Sequence, residues 1–299
     1  MNRALRYYLL GIAAPAAAVL VLILGLPRAP FDPVLAAILV AIGVVAANFP
    51  VMIRKNYKVD ATPAIDLALV VLFPAAAAVA LVGLTRLLGD ATDALLRWQL
   101  ATRPGELPPY DEALLRREMN LFPEWYVSRH LGVELSNAQK SELEGIFRLL
   151  VKSALAQSAV YVHRDYMPRN LMVSDPNPGV LDFQDAVLGP ITYDMVSLLR
   201  DAFVSWDEER VLDWSVRYWE KAKRAGLPVE TGFAEFWRAF EWMGLQRHLK
   251  VLGIFARINY RDGKPKYLED TPRFIRYARA VSERYAALAP LARLLDELE

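Results

Sequence analysis

The chain contains no cysteine. That excludes disulfides and thiolate metal centres, and it agrees with a reducing, cytosolic setting for a globular part. Charge of one sign is missing too. Its 35 Lys and Arg nearly balance 34 Asp and Glu, a net charge of +1, so no electrostatic case exists for a nucleic-acid partner. Clustered glycine is also absent from the first ninety residues. Gly11, Gly25, Gly43, Gly83 and Gly89 stand singly and form no phosphate-cradling loop, and the only lysines there are Lys55 and Lys58. No internal repeat or long low-complexity tract is present beyond alanine-rich apolar segments.

Apolar residues are abundant instead, at 55% of the 299, with the excess before Leu88. Tyr7–Leu26, Pro33–Ile53 and Ile65–Leu84 are nearly free of charge and show no strand-like alternation. Each has about the 20 residues a helix needs to cross a bilayer. The expectation is a membrane-spanning helical region over residues 1–90 with about three transmembrane helices, a buried helical hairpin being the alternative. Arg3 and Arg6 ahead of an apolar run have the look of a secretory signal, but no cleavage site follows and an anchor is preferred. Val51–Lys55 reads as a basic membrane-flanking loop rather than a lysine-bearing strand.

This reading places the protein in a bacterial inner membrane, with residues 91–299 expected on the cytoplasmic side. Charge bias conflicts with that side. Arg3, Arg6, Arg54, Lys55 and Lys58 put the N-terminus and second loop inside, and three crossings then leave the remainder outside. Either the third segment, with Asp66 and Pro74, is re-entrant, or the bias misleads because Arg86 and Arg97 follow it, or the two parts are not functionally matched.

The chemistry lies between Tyr161 and Ala186, in YVHRDYMPRNLMVSDPNPGVLDFQDA. Ala159–Val162 is a β-prone run that delivers His163 and Asp165 into a loop. Leu171–Val173 and Val180–Leu181 read as a hairpin around the turn Ser174–Gly179, with Asn170 at the start of one strand and Asp182 at the end of the other. Each of these polar residues alone is an ordinary turn residue. Together, with Asn170 five residues after Asp165, they have the order phosphoryl transfer needs. Asp165 is the candidate base, Asn170 and Asp182 are candidate Mg2+ ligands, and His163 is a structural residue of the loop.

That stretch resembles the catalytic and metal-binding segments of the aminoglycoside phosphotransferase and choline kinase superfamily. The longer run HRDYMPRNLMV…GVLDFQDAVLGPITYDMVSLLRDAF, with LPPYDEALLRREMNLFPEWYVSRHLG and LQRHLKVLGIFARINYRDGKPKYL, is similar to bacterial kinases acting on the anomeric hydroxyl of N-acetylmuramate and N-acetylglucosamine. The resemblance implies a mainly α fold over residues 91–299, the large lobe of a protein-kinase-like enzyme with a small catalytic β-hairpin. It implies ATP as co-substrate, Mg2+, an amino-sugar acceptor and a part in cell-wall recycling. It makes Asp165 the base, Asn170 and Asp182 the metal ligands, and Asp185 a helper near the metal. Asp194 is assigned to the first turn of a following helix, through the helix dipole. The small ATP-binding lobe of the superfamily has no counterpart in the first ninety residues, which instead resemble multi-helix membrane sensor regions. Two alternatives follow: a membrane-anchored, kinase-like binding protein without turnover, and a partner polypeptide that supplies the small lobe.

Apolar residues at helical spacing predict helices over Asp207–Gly226, Glu230–Ile258 and Arg273–Leu298. Phe233, Phe236, Trp237 and Phe240 read as core rather than a ligand box. Gln246, Arg247 and His248 are candidates for the acceptor pocket because a sugar presents hydroxyls to hydrogen-bond. Glu124, Trp125 and Tyr126 join them because an aromatic face stacks on a sugar ring. His130 reads as structural.

Overall fold

In a computed structural model of the chain, residues 52–54, 57–58, 89–175, 177–201 and 204–298 are described. The chain divides into two compact units, Met1–Thr85 and Arg86–Glu299. Within the first, β1 (Met52–Arg54) pairs antiparallel with β2 (Tyr57–Lys58). The basic stretch Val51–Lys55, expected as a membrane-flanking loop, therefore contains a strand. The rest of the three expected spans, Tyr7–Leu26, Pro33–Ile53 and Ile65–Leu84, lies outside the described residues.

The expected inner-membrane location is corrected. Among the described residues no helix is long and apolar enough to cross a membrane. Met52 and Ile53, the end of the second expected span, lie in a strand rather than in a helix.

The second unit is mainly helical. It comprises helix α1 through residues 89–100, α2 (Glu112–Met119), a π-helix (Phe122–Leu131), α3 (Asn137–Leu155), α4 (Tyr193–Leu199), α5 (Glu208–Arg224), α6 (Phe233–Asp262), α7 (Thr271–Arg284) and α8 (Ala289–Glu297). Between α3 and α4 run β3 (Ala159–Val162), β4 (Leu171–Met172), β5 (Gly179–Val180) and β6 (Val187–Pro190). Strand β3 pairs with β6 and β4 with β5, both antiparallel.

Local chemistry sets the boundaries. Asp111 caps α2 by accepting the Leu114 N–H at 2.8 Å, and Ser136 with Gln139 forms a capping box at the start of α3. The helix predicted over Arg273–Leu298 is interrupted at Tyr285, and Pro290 opens α8 because its ring cannot follow an unbroken helix. Helix α6 is the spine: the π-helix, α2, α3, α4, α5 and α7 all pack on it. At 30 residues it would span a bilayer, but Arg238, Glu241, Arg247 and Lys250 along its length mark it as the internal helix of a polar-laced core. Phe236 and Phe240 point into that core, fully buried.

One contact on α6 sets how closely it meets the π-helix. A Cβ on Gly253 would stand 2.3 Å from the Leu121 backbone carbonyl, so only glycine permits this approach.

Candidate active site

Strand β3 ends at Val162, and the chain then turns sharply. Arg164 adopts φ 74°, a left-handed conformation that costs a non-glycine residue about 1–2 kcal/mol, so the surroundings must hold it. Asp194, at the start of α4, does much of the holding. Its carboxylate accepts the backbone N–H of His163 at 2.7 Å and that of Arg164 at 3.0 Å. Asp194 is fully buried, and burial pushes its carboxyl up to about 7, against the two amides and the Arg247 charge, which favour the ionised form. Asp194 thus stands in the first turn of α4, as expected, and also anchors the loop that carries Asp165.

Past Asp165 the chain closes on itself. The Asp165 carbonyl accepts the Met167 N–H at 2.9 Å and the Asn170 side-chain amide at 2.9 Å. The amide of Asn170 is thus fixed through its nitrogen, leaving its oxygen available to a cation. The hairpin forms as the sequence predicted, with the second strand one residue earlier. Leu171 pairs with Val180 and Met172 with Gly179, while Leu181 N–H donates to the Asn170 carbonyl at 2.9 Å. That bond holds Asn170 beside the strand that leads into Asp182. Asp182 is exposed, has φ 71°, and accepts the Gln184 amide on one oxygen at 2.7 Å. Asp165, Asn170 and Asp182 therefore come from one loop and one hairpin.

Magnesium fits this donor set. Mg2+ takes one or two carboxylates or amide oxygens, and it keeps waters or substrate phosphates for the rest. An amide oxygen and an exposed carboxylate match that demand. Among the described residues no group of three His, Asp or Glu side chains could hold a metal, so the site is no closed protein cage. Asp185, next along the segment, is exposed and presents its backbone carbonyl to Arg164 at 3.3 Å.

His163 is buried, its ring 6.3 Å from Trp98 and 5.8 Å from Tyr166. Burial holds its pKa below the ordinary value, against the nearby charges of Asp165 and Asp182. A neutral ring in an aromatic setting suits the structural part expected of it. Helix α1 backs the loop: Tyr166 donates to the Ala91 carbonyl at 2.7 Å, and Asn177 to Asp90 at 2.7 Å.

The acceptor candidates differ in burial and surroundings. Glu124 is exposed and Trp125 half-buried on the π-helix, and no hydrogen bond or ring contact among the described residues joins either to the catalytic loop. Tyr126 is buried and stacks on Phe122 at 5.7 Å. His130 approaches the Tyr260 hydroxyl at 3.2 Å. His248 is fully buried between Phe274 and Tyr277, and burial drives its pKa well below the ordinary value. Arg247 is buried beside Asp194.

A buried polar group centred on Glu118 lies behind the loop. Glu118 on α2 pairs with Arg164 at 2.5 Å and with Lys250 at 2.9 Å, and it accepts the Tyr110 hydroxyl. Gln246 donates to it at 3.4 Å, and Lys250 donates to the Tyr193 hydroxyl at 3.0 Å. Burial alone would raise the Glu118 carboxyl; Lys250, Tyr110 and Arg164 outweigh it and hold it below the usual value. A signal existed: Glu118 shares the face of Leu115 and Met119, where an isolated helix pattern calls for an apolar residue.

The chain matches known proteins over most of this second unit. A family model described as the APH phosphotransferase enzyme family matches residues 63–231. That match takes in Ile65–Leu84, the third expected membrane helix, and so assigns the segment to the phosphotransferase region. A protein of Pseudomonas putida named N-acetylmuramate/N-acetylglucosamine kinase is 58% identical over 71% of this chain and 63% of its own length. One of the same name from Neisseria meningitidis serogroup B is 58% identical over 71% of this chain and 64% of its own. The chain thus spans less than two-thirds of these relatives. The solved structure of the ADP-bound aminoglycoside phosphotransferase APH(2'')-Ib aligns over 64% of this chain and 62% of its own, at 15% identity and a TM-score of 0.41.

Proposed function

Because the chain belongs to the APH phosphotransferase enzyme family, we propose that it transfers the terminal phosphoryl group of ATP to a hydroxyl of an amino sugar of the N-acetylmuramate or N-acetylglucosamine kind. The observation that carries this reading is the placement of Asp165, Asn170 and Asp182 on one loop and one hairpin, held by Asp194 and by the Leu181–Asn170 hydrogen bond. The sugar class comes from relatives that are 58% identical.

In this reading the Asp165 carboxylate orients the acceptor hydroxyl and takes its proton as the oxygen attacks phosphorus. The Asn170 side-chain oxygen and the Asp182 carboxylate would hold Mg2+. That ion, when bound, neutralises charge on the phosphate oxygens. Asp194 keeps the loop in place, so that Asp165 meets its acceptor without reorganising. Positioning of this kind supplies much of the rate in phosphoryl transfer. The anomeric hydroxyl is the proposed acceptor position, and recycling of cell-wall sugars the proposed setting. Against a sugar-binding protein without turnover stand the base loop and the metal-side hairpin, which are both formed.

Product identification tests the reading. The full chain is incubated with ATP, Mg2+ and N-acetylmuramate or N-acetylglucosamine, and the mixture is followed by phosphorus NMR. The expected result is a sugar 1-phosphate resonance that grows as ATP falls and is absent without sugar. ATP loss equal with and without sugar, or no loss at millimolar substrates, overturns it.

A further inference from the structure

Arg164 is fixed at three points that belong to three different elements. Its backbone N–H donates to Asp194 at 3.0 Å. One end of its guanidinium donates to Glu118 at 2.5 Å, and the other to the Asp185 carbonyl at 3.3 Å. The residue next to the candidate base is therefore tied to the segment that follows the candidate metal ligand Asp182. Glu118 is the one charged partner of that guanidinium within ion-pair distance among the described residues.

Energetics do not account for this group as a stabilising device. A buried ion-pair network roughly breaks even against apolar side chains of the same volume, because desolvation consumes the attraction. What such a network supplies is fixed geometry. Glu118 is itself held by Lys250 from α6, by Tyr110 and by Gln246, so the carboxylate cannot swing to follow a moving arginine. Arg164 Nε is buried with no hydrogen-bond partner among the described residues, and the Tyr110 ring lies 5.9 Å from the guanidinium carbon. The side chain thus has few other contacts to fall back on. Its left-handed backbone adds a reason for restraint, since a strained residue relaxes when its fixings go.

We propose that Glu118 is a positioning residue for the transfer reaction, one that sets the separation between the Asp165 loop and the Asp182–Asp185 segment by clamping Arg164 between them. This rests on the phosphotransferase reading for its kinetic consequence and on the geometry alone for its structural one. Removing the Glu118 charge frees Arg164, and the two halves of the site then drift independently. A shift of about 1 Å at such a site costs on the order of a hundredfold in rate.

The test uses the full chain as wild type, Glu118→Gln and Glu118→Asp, with two readouts. Hydrogen exchange without ligand is the first and needs no activity. Glu118→Gln is expected to speed exchange about tenfold in residues 163–166 and 182–186 together, with the α6 amides still protected. Glu118→Asp keeps the charge on a shorter arm, and should loosen both segments less at a melting temperature near wild type. It decides the matter if the glutamine variant does not fold. The second readout is kinetic: kcat falls at least about tenfold while KM for ATP and for sugar stay within about threefold. Exchange that rises evenly over the whole unit, or in neither segment, overturns the positioning role. A wild type that exchanges as expected yet transfers no phosphoryl group overturns the phosphotransferase reading instead. A glutamine variant that loosens both segments with kcat unchanged overturns the kinetic part of the proposal.

Discussion

The His163 backbone N–H donates to the Asp194 carboxylate at 2.7 Å, across 31 residues of chain and at a point of complete burial. With the Arg164 amide beside it, this places the candidate base before any substrate arrives. A buried carboxylate is costly, and here the cost has a visible use: both amide protons of a strained turn have an acceptor.

Asp194→Asn tests that anchor. An amide side chain accepts one backbone N–H and turns an NH2 toward the other, and leaving a buried N–H unpaired costs about 1–3 kcal/mol. Phosphoryl transfer should fall at least about tenfold. Stability should move the other way with pH. The folded pKa is about 7 and the ordinary value 3.8, so between them the native state holds the extra proton. This carboxylate therefore lowers wild-type stability as pH rises from about 4 to about 7. The melting temperature of the asparagine variant should gain on wild type from pH 5 to pH 8; a constant difference would contradict the shift.

The metal-side hairpin is a second target. Asp182→Ala should abolish Mg2+-dependent ATP binding in calorimetry, and Asn170→Ala should weaken it about tenfold or more. The pairing of Leu171 with Val180 is a backbone matter, so circular dichroism should be unchanged by Asp182→Ala. ATP binding at wild-type affinity in Asp182→Ala would remove that residue from the site.

His248 carries an acid-stability prediction. Burial between Phe274 and Tyr277, together with the Arg200 and Arg247 charges, holds its folded pKa well below the unfolded value of 6.5. Its neutral form contributes stability above pH 6.5 that is lost as pH falls below it, because only the unfolded chain takes the proton. His248→Phe keeps the aromatic packing. The variant should lose less melting temperature than wild type between pH 7 and pH 5. Equal losses would mean the ring titrates normally.

Gly253→Ala probes the joint between α6 and the π-helix. Alanine favours a helix interior by about 1 kcal/mol. Its Cβ, however, would meet the Leu121 backbone at 2.3 Å, and a backbone cannot step aside as a side chain does. Overpacking of about 1–3 kcal/mol should prevail, lowering the melting temperature by several degrees. A rise would show that the two elements separate freely.

The hairpin and its polar ends were readable in the sequence because they depend on neighbours: a turn of Pro, Asn and Gly between two short apolar runs. The helices after Asp207 are readable from periodicity, save for the break between Tyr285 and Leu288, ahead of Pro290, that divides one predicted helix into two. Asp194 stands in the first turn of α4 as its sequence context predicts, but its hold on the loop is not legible there, because its partners His163 and Arg164 lie about thirty residues back, beyond any local pattern. Glu118 was missed for the same reason, its partners coming from three separate segments. The acceptor candidates were chosen by residue type, and type says nothing of burial; His248 has an aromatic core around it. Length and apolarity predicted a membrane location, but they do not separate a bilayer span from other apolar segments. The family match through Ile65–Leu84 assigns that segment to the phosphotransferase region.

In the proposed reaction Asp165 takes the proton of an amino-sugar hydroxyl as phosphoryl transfer proceeds. Steady-state transfer from ATP to N-acetylmuramate, at saturating Mg2+, measures it most directly when wild type and Asp165→Asn are compared. Wild type is expected to turn over and the variant to lose at least about a hundredfold in kcat, with KM for ATP little changed. Turnover by Asp165→Asn within a few-fold of wild type would contradict it.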